Sequence, residues 1–178
     1  MSIILGVDPG SRITGFGFIK YDNGRVQHLD HGVINVSSIE SFSERISIIG
    51  QEIKKLIQSA KPQIISIEKI FLGKNADSAF KLGHARGIII YEAELAKLQI
   101  FEYSTRLVKK GVTGRGEATK EEVQSALNHL LKIKIGTKID ASDALALAYY
   151  QTLQMELQQR LQGLKDQRIT KLSSRSYL

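Results

Sequence analysis

Apolar residues in this chain switch between strand-like and helix-like spacing, and the switch points mark its elements. Ile3 to Val7 is a continuous apolar run that stops at Asp8-Pro9-Gly10, as a buried strand followed by a turn would. Ile13 to Tyr21 and Arg25 to Val36 are rich in aromatic and β-branched residues, and Asp22-Asn23-Gly24 lies between them. Asn-Gly between two such runs predicts a hairpin, so three antiparallel strands open the protein.

Helical spacing then takes over. Ser41 and Glu44 have the offset of a capping box, and Ile46, Ile49, Ile53, Leu56 and Ile57 follow at intervals of three and four until Pro62. Ile64 to Ile67 is a short apolar strand closed by Glu68. A long amphipathic helix is predicted from about Asp77 to Lys97, with Ala79, Gly83, Ala85 and Gly87 in its first half. Glycine is costly inside a helix, so Gly83 and Gly87 suggest close approach by another backbone or a ligand.

Ile100 to Tyr103 reads as a fifth strand. Ser104 caps a short helix through Lys110, and Gly111 to Gly116 reads as a loop. Thr119 and Glu122 form a second capping-box pair ahead of Val123, Leu127, Leu130 and Leu131. A last helix is expected from about Asp140 to Leu161. Beyond it the apolar periodicity fades, so residues 162–178 are expected to be a flexible basic tail on a 1–161 domain. The order βββαβαβααα predicts an α/β fold: a five-stranded mixed sheet flanked by helices.

Composition narrows the class. The 178 residues are 42% hydrophobic and 24% charged, which suits one soluble domain and excludes wholesale disorder. There is no cysteine, which excludes disulfides, thiolate metal sites and a cysteine nucleophile. That absence, with no basic leader before Asp8, fits a cytoplasmic protein. The net charge is +7, of which residues 160–178 carry +4 through Arg160, Lys165, Arg168, Lys171 and Arg175 against Asp166. Such a surplus favours a polyanionic partner, nucleic acid foremost, over a tail that serves solubility alone.

The chemistry rests on where the acids fall. Asp8 and Glu68 each close an apolar strand, where a carboxylate is costly unless donors or cations meet it. Asp140 and Asp143 are three apart at the start of a helix and share a face. If the first and fourth strands are neighbours, all these acids converge at one end of the sheet. Mutually repelling carboxylates suit an all-oxygen site for Mg²⁺ or Mn²⁺. Two such ions form the clamp used in phosphodiester hydrolysis. Taken singly, each acid also has an ordinary role: Asp8 in a turn, Glu68 in an ion pair, Asp140 and Asp143 as an N-cap and a first-turn acid.

Three blocks carry a family resemblance. Gly6-Val7-Asp8-Pro9-Gly10-Ser11-Arg12-Ile13-Thr14-Gly15-Phe16-Gly17 is the first. The second is Ile67-Glu68-Lys69-Ile70-Phe71 with Lys74-Asn75-Ala76-Asp77-Ser78-Ala79 and Lys81-Leu82-Gly83-His84-Ala85-Arg86-Gly87. The third is Asp140-Ala141-Ser142-Asp143-Ala144-Leu145-Ala146. Together they resemble the RuvC family of bacterial Holliday-junction resolvases from Ile3 to about Tyr150. The resemblance implies an RNase H-like fold and a homodimer that cuts four-way DNA junctions with Mg²⁺, alongside the RuvA–RuvB branch-migration complex. It makes Asp8, Glu68, Asp140 and Asp143 the catalytic, metal-binding acids, with two Mg²⁺ per subunit expected and Mn²⁺ able to substitute. It places Lys109 and Lys120 near DNA and Phe71 beside the junction bases. Lys69 and Gly73 depart from the commoner pattern, in which Gln and a small or apolar residue are frequent.

Considered apart from the resemblance, Phe71 either caps the core or stacks on an unpaired base. Lys109 and Lys120 are either solvated helix charges or phosphate contacts. Gly83 and Gly87 serve either a helix–helix dimer contact or packing within one subunit. Two other functions compete. A non-catalytic binder of branched DNA accounts for the charge but not for the acids, which repel phosphate. An actin-like phosphate-binding ATPase is suggested by Asp8-Pro9-Gly10-Ser11-Arg12-Ile13-Thr14, but 178 residues leave no room for the two halves of that fold.

Overall fold

The computed structural model of the protein describes residues 1–69, 76–136 and 139–175. Strands β1 (Ser2–Asp8), β2 (Ile13–Asp22) and β3 (Arg25–Asn35) come first, followed by α1 (Phe42–Ala60), β4 (Ile64–Glu68) and α2 (Ala76–Leu95). Then come β5 (Gln99–Tyr103), α3 (Thr105–Thr113), α4 (Lys120–Leu131) and α5 (Ile139–Arg175). The five strands form one sheet in the order β3-β2-β1-β4-β5. β1 pairs antiparallel with β2 and parallel with β4, and β4 pairs parallel with β5. The fold is therefore α/β with a mixed sheet, as the pattern predicts.

The opening hairpin turns on Asn23 and Gly24, both at positive φ (47° and 83°), the conformation that Asn-Gly favours in tight hairpins. Helices cover both faces of the sheet. Leu5, Val7, Phe18, Ile65 and Ile67 pack with Ile49 and Ile53 of α1 and Ala85 and Ile89 of α2. Ile4, Ile19, Tyr21 and Ile64 pack with Val108 of α3, Leu127 of α4 and Leu145 of α5. The period of two thus divides β1 and β4 cleanly between the faces. The same alternation carries Gly6 and Asp8 of β1, and Ser66 and Glu68 of β4, to the α5 face.

That face has little depth at β1 and β2. A Cβ on Gly6 would lie 2.0 Å from the Ala144 carbonyl oxygen, and one on Gly15 would lie 2.0 Å from the Asp140 carbonyl oxygen. A Cβ on Gly17 would come within 2.9 Å of the Leu145 Cα. α5 answers with Ala141, Ala144 and Ala148, all fully buried, so helix and sheet backbones meet with almost nothing between them. Ser66 Oγ donates to the Leu147 carbonyl at 3.0 Å and ties the helix to β4.

Two helices run further than periodicity predicts. α3 continues through Gly111 to Thr113 and is capped by Gly114 at φ 80°, so the expected 111–116 loop shrinks to a short connection. α5 passes Leu161 and reaches Arg175. Periodicity fades there because the helix has left the core: Leu157, Leu161 and Leu164 are all at least half exposed. The sequence from 162 onward still holds good helix formers, with one glycine and no proline, and helix propensity does not require burial.

Candidate active site

The parallel register sets Val7 beside Ile67, so β1 and β4 end together and deliver Asp8 and Glu68 to the same edge. β2 passes alongside with Gly15 opposite Asp8. Because Gly15 has no side chain, the first turn of α5 lies directly on β2 and brings Asp140 and Asp143 over that edge. The strand adjacency required for convergence is present. Asp8, Glu68 and Asp143 line one pocket together with Thr105 and Lys109. Asp140 lies one helical turn before Asp143, and its charge is felt by both Asp143 and Lys120.

The Asp8-Pro9-Gly10 turn is pinned by Thr14, which is fully buried. Its hydroxyl donates to the Gly10 carbonyl at 2.8 Å, and the Gly10 amide donates to the Thr14 hydroxyl oxygen at 3.3 Å. This fixes the chain just past Asp8.

Crowding of carboxylates shows in their proton affinities. Asp8 is pushed up to about 9, first by burial, then by its hydrogen bond with Glu68 and the charges of Glu68 and Asp143. Asp8 therefore favours its protonated form at neutral pH when no cation is bound. Asp143 is also raised: burial outweighs the pull of Lys120. The Lys120 Nζ lies 2.7 Å from Asp143 Oδ2 and is the direct counter-charge of the cluster. That hydrogen bond, reinforced by the charges of Asp143, Asp8 and Asp140, raises the lysine's own pKa despite its partial burial. Among the described residues no three acids or imidazoles are already arranged as a metal shell. The Lys120 ammonium group offsets part of the negative charge.

The two lysines matched to the family therefore differ. Lys120 opens α4, held by the Thr119–Glu122 capping box, and reaches into the acidic site. Lys109 donates to the Ala118 carbonyl at 2.7 Å, anchoring the segment that leads to Lys120 while lining the same pocket. Phe71 lies outside the described residues. One residue of the site carries no warning in the sequence: the Thr105 hydroxyl donates a hydrogen bond to Glu68 Oε1. Only the β4–β5 pairing, which sets Tyr103 beside Glu68, brings it there.

Among the described residues, Gly83 and Gly87 serve no packing within the chain: a Cβ at either would meet none of them within 4 Å. They lie on the outer face of α2, opposite the buried Ala85, Ile89 and Ala93. Phe80 and Tyr91, 73% and 55% exposed, extend the same outer surface, so the described residues leave an apolar face uncovered there.

This site geometry coincides with a sequence-wide match. The profile of the family described as crossover junction endodeoxyribonuclease RuvC matches residues 4–150. The chain belongs to the RuvC family. It is 54% identical over 154 residues to the family's protein from Bdellovibrio bacteriovorus, covering 86% of this chain and 92% of that one. The Tolumonas auensis protein is 47% identical over 148 residues, covering 83% and 85%. Among solved structures, T. thermophilus RuvC in complex with Holliday junction substrate superposes with a TM-score of 0.78 at 26% identity, covering 84% of this chain and 92% of that chain. The matched residues 4–150 contain all four acids and both lysines, and end before the distal half of α5.

Proposed function

We propose that this protein is a structure-specific endonuclease that resolves four-way DNA junctions in recombination and repair, with Asp8, Glu68, Asp140 and Asp143 as its metal-binding catalytic acids. The observation that carries this reading is the meeting of Asp8, Glu68 and Asp143 in one pocket with Lys120 as their counter-cation, inside a family match spanning residues 4–150. A donor set made only of carboxylates suits hard divalent cations, Mg²⁺ first and Mn²⁺ second. The raised affinity of Asp8 for protons reflects burial first and then the neighbouring carboxylates, whose charge such cations would relieve. Two ions per subunit would balance the four acids. Asp8, Glu68, Asp140 and Asp143 would hold them, and they would supply Lewis-acid charge at the phosphate and a more acidic water.

The chain's own residues do the rest. Thr14 holds the turn after Asp8, and Lys109 holds the segment before Lys120. Lys120, paired with Asp143, is proposed as the cation that meets a DNA phosphate. Its ammonium competes with a cation for Asp143, so Lys120→Met should bind Mn²⁺ several-fold more tightly in the absence of DNA. Calorimetric titration checks this. Phe71 is proposed to stack on a base at the crossover, and cytoplasmic action alongside RuvA–RuvB completes the reading.

Labelled four-way junction incubated with the protein and Mg²⁺ tests the proposal. Paired cuts in opposed strands that yield two nicked duplexes are expected, with linear duplex left intact. Binding without cutting would return the balance to a non-catalytic junction binder.

One set of acids per chain also argues for a two-fold dimer, which presents two equivalent sites to two opposed strands. The uncovered α2 face around Gly83 and Gly87 is the proposed contact. Gly87→Leu should dissociate the dimer, raising its dissociation constant at least ~10-fold, because a leucine there holds the partner helix away. The monomer should not suffer: none of the described residues lies within 4 Å of the new Cβ. Leucine is also the better helix former, by about 1 kcal/mol. Sedimentation velocity and a thermal melt check both halves.

A further inference from the structure

We propose that Thr105 is a positioning residue for Glu68: its hydroxyl fixes the glutamate carboxylate toward Asp8 and thereby sets the metal affinity of the site. The inference rests on the proposed role of Glu68 as a metal-binding acid. Glu68 is the last residue of β4, only partly buried, on a flexible side chain that would otherwise share its time between the pocket and solvent. Thr105 restrains it from the neighbouring element. β5 pairs with β4 through Glu68 and Tyr103, and the Lys69 amide donates to the Tyr103 carbonyl at 2.8 Å, so the two strand ends are locked together.

Two residues later the chain is helical. Ser104 caps α3 by accepting the Leu107 amide, and Thr105 is the first residue of that helix. A β-branched side chain at such a place has few rotamers, so its hydroxyl is a stiff donor. It donates to Glu68 Oε1, while the Glu68 carboxylate also hydrogen-bonds with Asp8. Glu68 is thus held from one side by a rigid neutral donor and from the other by the acid with which it would share a cation. A neutral donor suits this task because it orients the carboxylate without the charge neutralisation an arginine or lysine would bring. Partners of this kind commonly change metal affinity or rate by about 10- to 100-fold when removed.

Thr105→Val removes the donor and keeps the shape; Thr105→Ser keeps the donor. Three measurements on the full-length protein decide the matter: Mn²⁺ affinity of the DNA-free protein by calorimetry, junction affinity without metal, and single-turnover cleavage against Mg²⁺ concentration. For Thr105→Val, Mn²⁺ binding should weaken about 10-fold and half-maximal cleavage should need correspondingly more Mg²⁺, with junction affinity unchanged within about twofold. Thr105→Ser should stay within about threefold of wild type. In a Glu68→Gln background, Thr105→Val should change Mn²⁺ binding no further. Wild-type Mn²⁺ affinity in Thr105→Val would overturn the proposal. So would a serine variant as impaired as valine, which would assign the role to the threonine methyl. If instead Glu68→Gln cuts junctions as well as wild type, the reading of Glu68 itself is what fails.

Discussion

Asp8→Asn should abolish junction cleavage, lowering the rate by at least ~10³-fold, while leaving junction affinity within a few-fold of wild type. It should also raise the thermal stability of the metal-free protein at neutral pH. The first effect follows from the loss of an anionic oxygen where cations must gather. Affinity is spared because it rests on phosphate contacts spread over the basic surface. The second effect follows from burial and like charge. Asp8 titrates at about 9 in the folded chain against an ordinary value of 3.8. Between those values the folded chain holds a proton that the unfolded chain has released, so stability falls as pH rises through that window. Asparagine cannot ionise, and its amide can donate to Glu68 as the protonated aspartate does. Its advantage should appear above pH ~4, grow to on the order of 1 kcal/mol or more by neutral pH, and level off near pH 9. Melts of both proteins in EDTA across that range, paired with a junction-cutting assay, check the two effects together. Glu68→Gln, Asp140→Asn and Asp143→Asn should lose cleavage in the same way. Full Mg²⁺-dependent cutting by any one of them would remove that residue from the site.

The placement of these acids was legible in the sequence because it depends on local pattern. Apolar runs that end in a carboxylate identify strand ends, and two aspartates three apart before an alanine-rich stretch identify a helix start. What the pattern could not supply was adjacency. The convergence of Asp8 and Glu68 depends on β1 pairing with β4, a partner more than fifty residues away along the chain. Thr105 was hidden for the same reason: its meeting with Glu68 is a product of β4–β5 pairing and of a helix that starts immediately after β5. The length of α5 was hidden for a different reason. Periodicity reports burial, and Leu157, Leu161 and Leu164 of α5 are at least half exposed. Gly83 and Gly87 were visible as anomalies, yet their sense was not, since a small-residue face reads alike whether it meets the same chain or another copy. Lys109 shows the opposite limit. The resemblance in its sequence implies a role near DNA, while its ammonium group is engaged by the Ala118 carbonyl on the approach to Lys120.

Gly15→Ala should reduce junction cleavage by about 100-fold or more in a protein that still folds. Gly6, Gly15 and Gly17 of the first block sit in strands, where glycine is unfavourable, and their reason lies on the far side of the interface. A Cβ on residue 15 would be 2.0 Å from the Asp140 carbonyl oxygen and 2.6 Å from its carbonyl carbon. Both are backbone atoms, so no side chain can swing aside, and the first turn of α5 must lift from β2. Further along, the contacts of Gly6 and Gly17 with Ala144, Ala148 and Leu145 still hold the helix. The displacement is therefore concentrated at the end that carries Asp140 and Asp143. A shift of about 1 Å in catalytic groups is enough for a loss of this size. Overpacking of this kind destabilises by about 1–3 kcal/mol. Gly6→Ala makes the contrast. Its Cβ would strike Ala144 and Ala148 in the middle of the docked segment, where the helix cannot tilt away from one end. It should therefore cost more stability than Gly15→Ala. Denaturant melts and single-turnover cleavage of both variants, side by side, test the argument. If Gly15→Ala cut at the wild-type rate, Asp140 and Asp143 would not depend on the seating of α5 against β2, and their placement would have to come from the helix alone.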